Sequence, residues 1–157
     1  MSSDVETRAA TPSLEQYLRE HIPLSAAMEV SVVSARPDGV TLSAPLAPNL
    51  NHRSTAFGGS VNALATLAGW SIVHLRVRGS GHVARTVIQE GSTSYLRPIH
   101  AAFEATVLPI EEDRWERFLR MLVKKGRARI DIPVRVTSAG EEVATFRGRF
   151  VVLMGEG

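Results

Sequence analysis

The groups able to do chemistry in this sequence gather in one polar loop and in the segment behind it. Asn49-Leu50-Asn51-His52-Arg53-Ser54-Thr55-Ala56-Phe57 runs through Gly58-Gly59 and Ser60 into an apolar stretch, Val61 to Val73. Free N–H groups at a helix start, reached through glycines, can receive an oxyanion or polarise a carbonyl. Asn51 offers an amide beside that start, and His52 a group that exchanges protons near neutral pH. Asn62 and Thr66 follow four residues apart, one turn above the other on a helix. The chain has no cysteine, which excludes a Cys nucleophile and a disulfide scaffold and leaves any metal to His and carboxylates.

The elements that must position these groups can be read from periodicity. The stretch after Ser60 has no charge until Arg76, and its apolar residues fall on every side of a helical wheel. A helix apolar all round belongs in the middle of a protein. Ser, Thr, Asn and Gly interrupt it too often, and it is too short, for a membrane span. Upstream, residues 1–12 read as a polar tail, and a helix starts at Ser13 with Gln16 three residues on, the capping-box spacing. Its stripe is Leu14, Tyr17, Leu18 and Ile22, and Pro23 stops it. Glu29 to Ala35 and Val40 to Ala44 alternate as a hairpin around Arg36-Pro37-Asp38-Gly39.

Beyond the central helix, Gly79-Ser80-Gly81 is a turn, and His82 to Arg97 alternates as one long strand ended by Pro98. Its two faces differ little in polarity, and Gly91 marks a bulge or the close approach of another backbone. Ala101 to Leu108 is a further strand. Residues 111–125 carry Trp115, Phe118, Leu119 and Leu122 at helical spacing, acids in the first turn and Lys124-Lys125 in the last, with Gly126 as the stop; the same residues also fit a long bent hairpin, partly strand. Arg127 to Val136 and Val143 to Leu153 form two closing strands.

Length and composition set the bounds. The 157 residues, 44% apolar and 22% charged, suit a single domain over 13–157 with a real core. The start has no apolar run and no lipidation motif, which predicts a cytoplasmic protein with no membrane partner. The formal charge is +2, and no Lys/Arg block with interleaved aromatics appears, so nucleic acid is not an expected partner.

One helix apolar on all sides needs a sheet that wraps it. The expected fold is therefore α+β: an antiparallel sheet of five to six strands curled around a long central helix, the hotdog fold. The segment Asn51 to Gly59 resembles the motif of hotdog acyl-CoA thioesterases, in which Asn precedes His-Gly-Gly by six positions; Phe57 here takes the place of that His. Asn51-His52, Thr55-Ala56-Phe57-Gly58-Gly59-Ser60 and Tyr95-Leu96-Arg97-Pro98 together are similar to the thioesterase domain of the YiiD type, over about Leu14 to Val152. That resemblance implies a thioesterase acting on an acyl-CoA or acyl-carrier-protein thioester. It implies a homo-oligomer, dimer or tetramer, with sites at the subunit interface, and no cofactor or metal.

On this reading the Gly59 N–H, with that of Ser60, polarises the carbonyl, and Asn51 orients the acyl group or water. Phe57, Gly58, Asn62 and Arg97 join them in holding substrate, Arg97 by pairing with a phosphate. One departure stands out. Many such enzymes carry an Asp or Glu seven residues after the second glycine, and here that position is Thr66. No carboxylate occurs from Asn49 to Gly79, so the base falls to His52, to Thr66 with Asn62, or to Glu90, donated from either chain. Each has a plainer role open to it: Asn51 as a loop brace, Thr66 bonded to the carbonyl one turn back, Glu90 on a solvated face. Two other functions remain open. One is a hotdog module that binds acyl-CoA without hydrolysing it; the other is a hotdog hydratase or dehydratase, for which His52 would have to serve.

Overall fold

In the computed structural model, which describes residues 13–155, helix α1 covers 13–21. The predicted tail over 1–12 lies outside the described residues. Ser13 is itself helical, and Gln16 sends its amide forward to Glu20 Oε1 at 2.9 Å, so these two do not form the expected capping box. Pro23 ends α1 and opens α2 (Pro23–Ala27), sitting in the first turn where its missing N–H costs nothing. The hairpin β1 (Ser31–Arg36) and β2 (Gly39–Ala44) pairs Arg36 with Gly39 around a two-residue turn. A single 3₁₀ turn, Ala47–Asn49, leads into the polar loop.

The central helix α3 spans Gly58–Gly79, 22 residues. It is followed by β3 (Ala84–Tyr95), β4 (Phe103–Val107), α4 (Glu112–Lys125), β5 (Arg127–Ser138) and β6 (Glu141–Met154). All six strands form one antiparallel sheet in the order β1-β2-β4-β5-β6-β3. The helix α3 packs against all six of them, as a wrapped sheet requires and a flat one would not allow. This is the hotdog arrangement.

Close packing explains why α3 carries a glycine at its middle. A Cβ on Gly69 would sit 2.8 Å from the ring of Phe150 and 3.5 Å from Ile132 Cγ2, so only a bare backbone lets the helix approach the sheet there. Ile132 and Phe150 thus face the helix. Strand alternation then turns Arg129, Asp131, Arg147 and Arg149 to the opposite face.

Two features of β3 differ from the sequence expectation. The register slips between Ile88 and Glu90, which puts the bulge at Gln89 rather than at Gly91. Gly91 instead lies opposite Gly148, and a Cβ there would come within 3.2 Å of Ile88 Cδ1 and 3.3 Å of Phe146 Cε2, so what presses on it is side chains. As the terminal strand of the sheet, β3 is exposed along most of its length, Val87 and Ile88 included. Helix α4 buries Trp115, Phe118 and Leu122. It is tied to the end of α3 by Arg76, whose guanidinium lies 4.9 Å over the Trp115 ring and holds both Glu112 oxygens at 3.1 and 3.0 Å.

Candidate functional site

The loop ahead of α3 is built on Asn51. Its Oδ1 accepts from the Arg53 and Thr55 N–H groups at 2.8 and 3.1 Å; its Nδ2 donates to Thr55 Oγ1 at 2.8 Å and to the Ala56 carbonyl at 3.4 Å. The whole amide is therefore spent inside the loop, which a Leu50–Ala56 bridge closes. The bracing role is the one these contacts describe. His52 and Arg53 stand exposed at the loop tip. Asn49, which sequence reasoning passed over, is buried behind the loop. It donates to the Met28 and Pro45 carbonyls at 3.0 and 2.8 Å, and its own carbonyl receives the Phe57 N–H at 2.7 Å. That bond fixes the residue from which α3 starts.

The start of α3 has no side-chain cap. The Ser60 N–H is already given to the Phe57 carbonyl at 2.9 Å, so Gly58 and Gly59 hold the unpaired N–H groups that every helix start leaves over. Phe57, more than half exposed, lays its ring against Gly59: a Cβ on Gly59 would collide with Phe57 Cε1. On the other side, Tyr95 gives its hydroxyl proton to the Gly58 carbonyl at 2.8 Å.

From this start one face of α3 is only half covered. Gly59, Asn62, Ala63, Thr66 and Trp70 share that face by helical spacing, and each is exposed or half-buried while the other sides are sealed. The expectation of a helix buried all round fails along this stripe, because the sheet ends there with β3. At 1.5 Å per residue the stripe runs about 16 Å. It floors a cleft of about 510 Å³, walled by Ile22 and Leu24 on one side and by Ile88 to Gly91 on the other. Trp70 closes the far end, its Nε1–H held by the Thr86 carbonyl at 2.9 Å.

Three predicted site residues, Asn62, Thr66 and Glu90, line this cleft together. Thr66 donates to the Asn62 carbonyl at 2.8 Å, and Asn62 Oδ1 accepts from Thr93 Oγ1 at 2.7 Å. The Glu90 carboxylate leans away, toward Arg149 Nη1 at 3.6 Å, because the bulge at Gln89 pairs Glu90 with Arg149 on the face opposite the helix. Asn51, His52, Gly58, Gly59 and Ser60 are not on the cleft wall; Gly59 stands at the head of the stripe. Arg97 forms a solvent-exposed ion pair with Glu141 at 3.3 Å. Among the described residues no three His, Asp or Glu side chains gather to hold a metal ion.

Behind Trp70 the helix carries His74. Its imidazole stacks on Trp70 with ring centroids 4.6 Å apart and lies tilted against Tyr17 at 4.9 Å. Burial, with the Arg78 cation as a second cause, pushes its pKa down to about 4, so it is neutral at physiological pH.

Residues 11–154 match the family described as "Putative thioesterase (yiiD_Cterm)". The chain belongs to this family. Solved structures agree with the family's fold. A protein of unknown function from Chlorobaculum tepidum (OLEI01261) is 27% identical, with a TM-score of 0.89, over 93% of this chain and 95% of its own. A structure described as a putative thioesterase from Shewanella oneidensis is 28% identical, with a TM-score of 0.81, over 91% and 96%. PA5026 from Pseudomonas aeruginosa, at 19% identity and a TM-score of 0.76 over 92% and 96%, shares the fold. Within this thioesterase family, the site to account for is the uncapped helix start and the stripe below it. No helix among the described residues is long and apolar enough to cross a membrane.

Proposed function

We propose that this family member hydrolyses an acyl thioester at the head of α3, with the acyl chain laid along the half-covered stripe toward Trp70. The observation that carries the reading is the continuity of that stripe: it joins unpaired Gly58 and Gly59 N–H groups to an apolar cleft of about 510 Å³. A carbonyl oxygen bound at those N–H groups gains stabilisation as it becomes an oxyanion. A water oxygen then bonds to the carbonyl carbon. The C–S bond breaks, the thiolate takes up a proton, and the products are a carboxylic acid and a thiol. Asn62 and Thr66, the polar groups on the cleft floor nearest Gly59, are the residues placed to hold the water.

The carrier is coenzyme A or an acyl carrier protein, and the working form is a homodimer or tetramer joined along β3. Support for the latter is physical: an exposed terminal strand carrying Val87 and Ile88 is a surface that evolved sheets cover. A second chain lying along β3 would also bring its own Glu90 or Gln89 close to the first chain's cleft. A cytoplasmic setting accompanies this substrate class.

One observation favours a second reading, a module that binds acyl-CoA and leaves it intact: α3 has no carboxylate, and Glu90 in its own chain leans on Arg149. A hydratase or dehydratase reading ranks below both, since His52 stands outside the cleft. Incubating the protein with acyl-CoA esters of graded length and a thiol reagent separates the remaining two. Thiol release above the blank supports hydrolysis; saturable binding with no release supports the module.

A further inference from the structure

A second hollow lies between α4 and the strands β5 and β6, on the side of the sheet turned away from α3. It measures about 430 Å³, and four guanidinium groups, Arg114, Arg117, Arg129 and Arg149, surround it with Asp131 as the one carboxylate. The net charge of the lining is therefore +3. Asp131 does not neutralise the group; it anchors part of it. Arg149 holds the Asp131 carboxylate at 2.9 and 3.5 Å, and Arg114 donates to the Asp131 backbone carbonyl at 2.9 Å.

Two of the guanidiniums are thus fixed in place, half-buried, before any ligand arrives. Arg117 and Arg129 have no ion-pair partner among the described residues. Like charges converging on one hollow repel each other, and the repulsion is relieved when an anion enters. Arginine forks match the paired oxygens of a phosphate. The wall is not all polar. Phe118 and the exposed thioether of Met121 form an apolar side, so the hollow suits a phosphate attached to an organic body.

We infer that the α4–β5–β6 hollow is a binding site for a phosphate ester, with Arg117 and Arg129 closing on the phosphate and Phe118 and Met121 against its organic part. This inference does not rest on the hydrolytic reading of the cleft, and its test is a binding measurement. Calorimetric titration at one fixed ionic strength uses three probes: inorganic phosphate, adenosine 3′,5′-bisphosphate and uncharged adenosine. The bisphosphate binds the wild type and adenosine does not. In the exposed double variant Arg117→Gln/Arg129→Gln, its Kd rises at least tenfold. In Thr66→Val, whose change lies in the other cleft, the Kd is unchanged. A bisphosphate at least tenfold tighter than phosphate supports the ester site; equal affinities for the two overturn it, because the organic part then adds nothing. The inference is overturned if neither anion binds, or if the double variant binds as the wild type does.

Discussion

The ring of Phe57 rests on Gly59, so close that the smallest side chain on Gly59 would collide with it. The contact sets an aromatic ring beside one of the two glycines that hold the unpaired N–H groups at the start of α3. Gly59→Ala forces the exposed ring outward and puts a methyl group over the oxyanion position. Turnover should fall by about 10²–10³, the worth of a lost polarising contact, while the unfolding midpoint moves little because Phe57 can swing into solvent. Adding Phe57→Ala relieves the collision. Recovery of turnover in that double variant would assign the loss to the ring; continued loss assigns it to the blocked N–H.

Asn51 and Thr66 should separate by what they break. Asn51→Ala removes the amide that braces the loop through four bonds, costing stability of about 1–3 kcal/mol together with activity. Thr66→Val keeps the shape and removes only a hydroxyl bonded to the Asn62 carbonyl. Its stability should stay within about 1 kcal/mol of wild type. Turnover at least tenfold lower would then mark the hydroxyl as part of the water's binding site. Wild-type turnover in Thr66→Val would remove it from the mechanism.

The exposed strand β3 predicts an oligomer. Light scattering on a size-exclusion column should give a mass of at least twice the 17.1 kDa of one chain. A monomer at micromolar concentration would leave β3 uncovered and would remove the route by which a partner's Glu90 or Gln89 reaches the cleft.

Phe118, 4% exposed and set edge-on to Trp115 at 5.9 Å, is a core residue of α4. Phe118→Ala should cost about 3–4 kcal/mol through lost burial and the cavity left behind. Urea denaturation reads this directly. A change below about 0.5 kcal/mol, the ordinary scale of surface substitutions, would mean that α4 is held by its ends alone.

His74 makes stability depend on pH with a definite sign. Its folded pKa is about 4, below the ordinary histidine value of 6.5, so between those values the unfolded chain binds the extra proton. The contribution is complete above about pH 6.5 and is lost as pH falls toward 4. It is of order 1–2 kcal/mol once remaining solvent contact is discounted. His74→Phe keeps the stack on Trp70 and Tyr17 and removes the titration. The variant's urea midpoint should fall less than the wild type's between pH 7 and pH 4.5; parallel curves would show that His74 titrates normally.

Much of this fold was legible because local chemistry and tertiary need agree. Pro23 divides α1 from α2, the two-residue turn at Pro37-Asp38 sets the first hairpin, and the acid-to-lysine gradient with Trp115, Phe118 and Leu122 on one side forms α4 as spaced. The uncharged run behind Gly58-Gly59 required a sheet on every side, and α3 does touch all six strands. Sequence alone could likewise show that no acid lies on α3.

What tertiary structure decided is where the enclosure stops. Both β1 and β3 end the sheet, but β3 lies along the Asn62–Thr66–Trp70 side of α3, and strand order is set by long-range pairing that no local pattern reveals. A one-residue bulge at Gln89 then turned the Glu90 carboxylate to Arg149, because side chains alternate and a single inserted residue reverses the face. The same alternation gathered Arg129 and Arg149 with Arg114 and Arg117 of α4, residues that sequence distance scatters and only the pairing of β5 with β6 brings to one hollow.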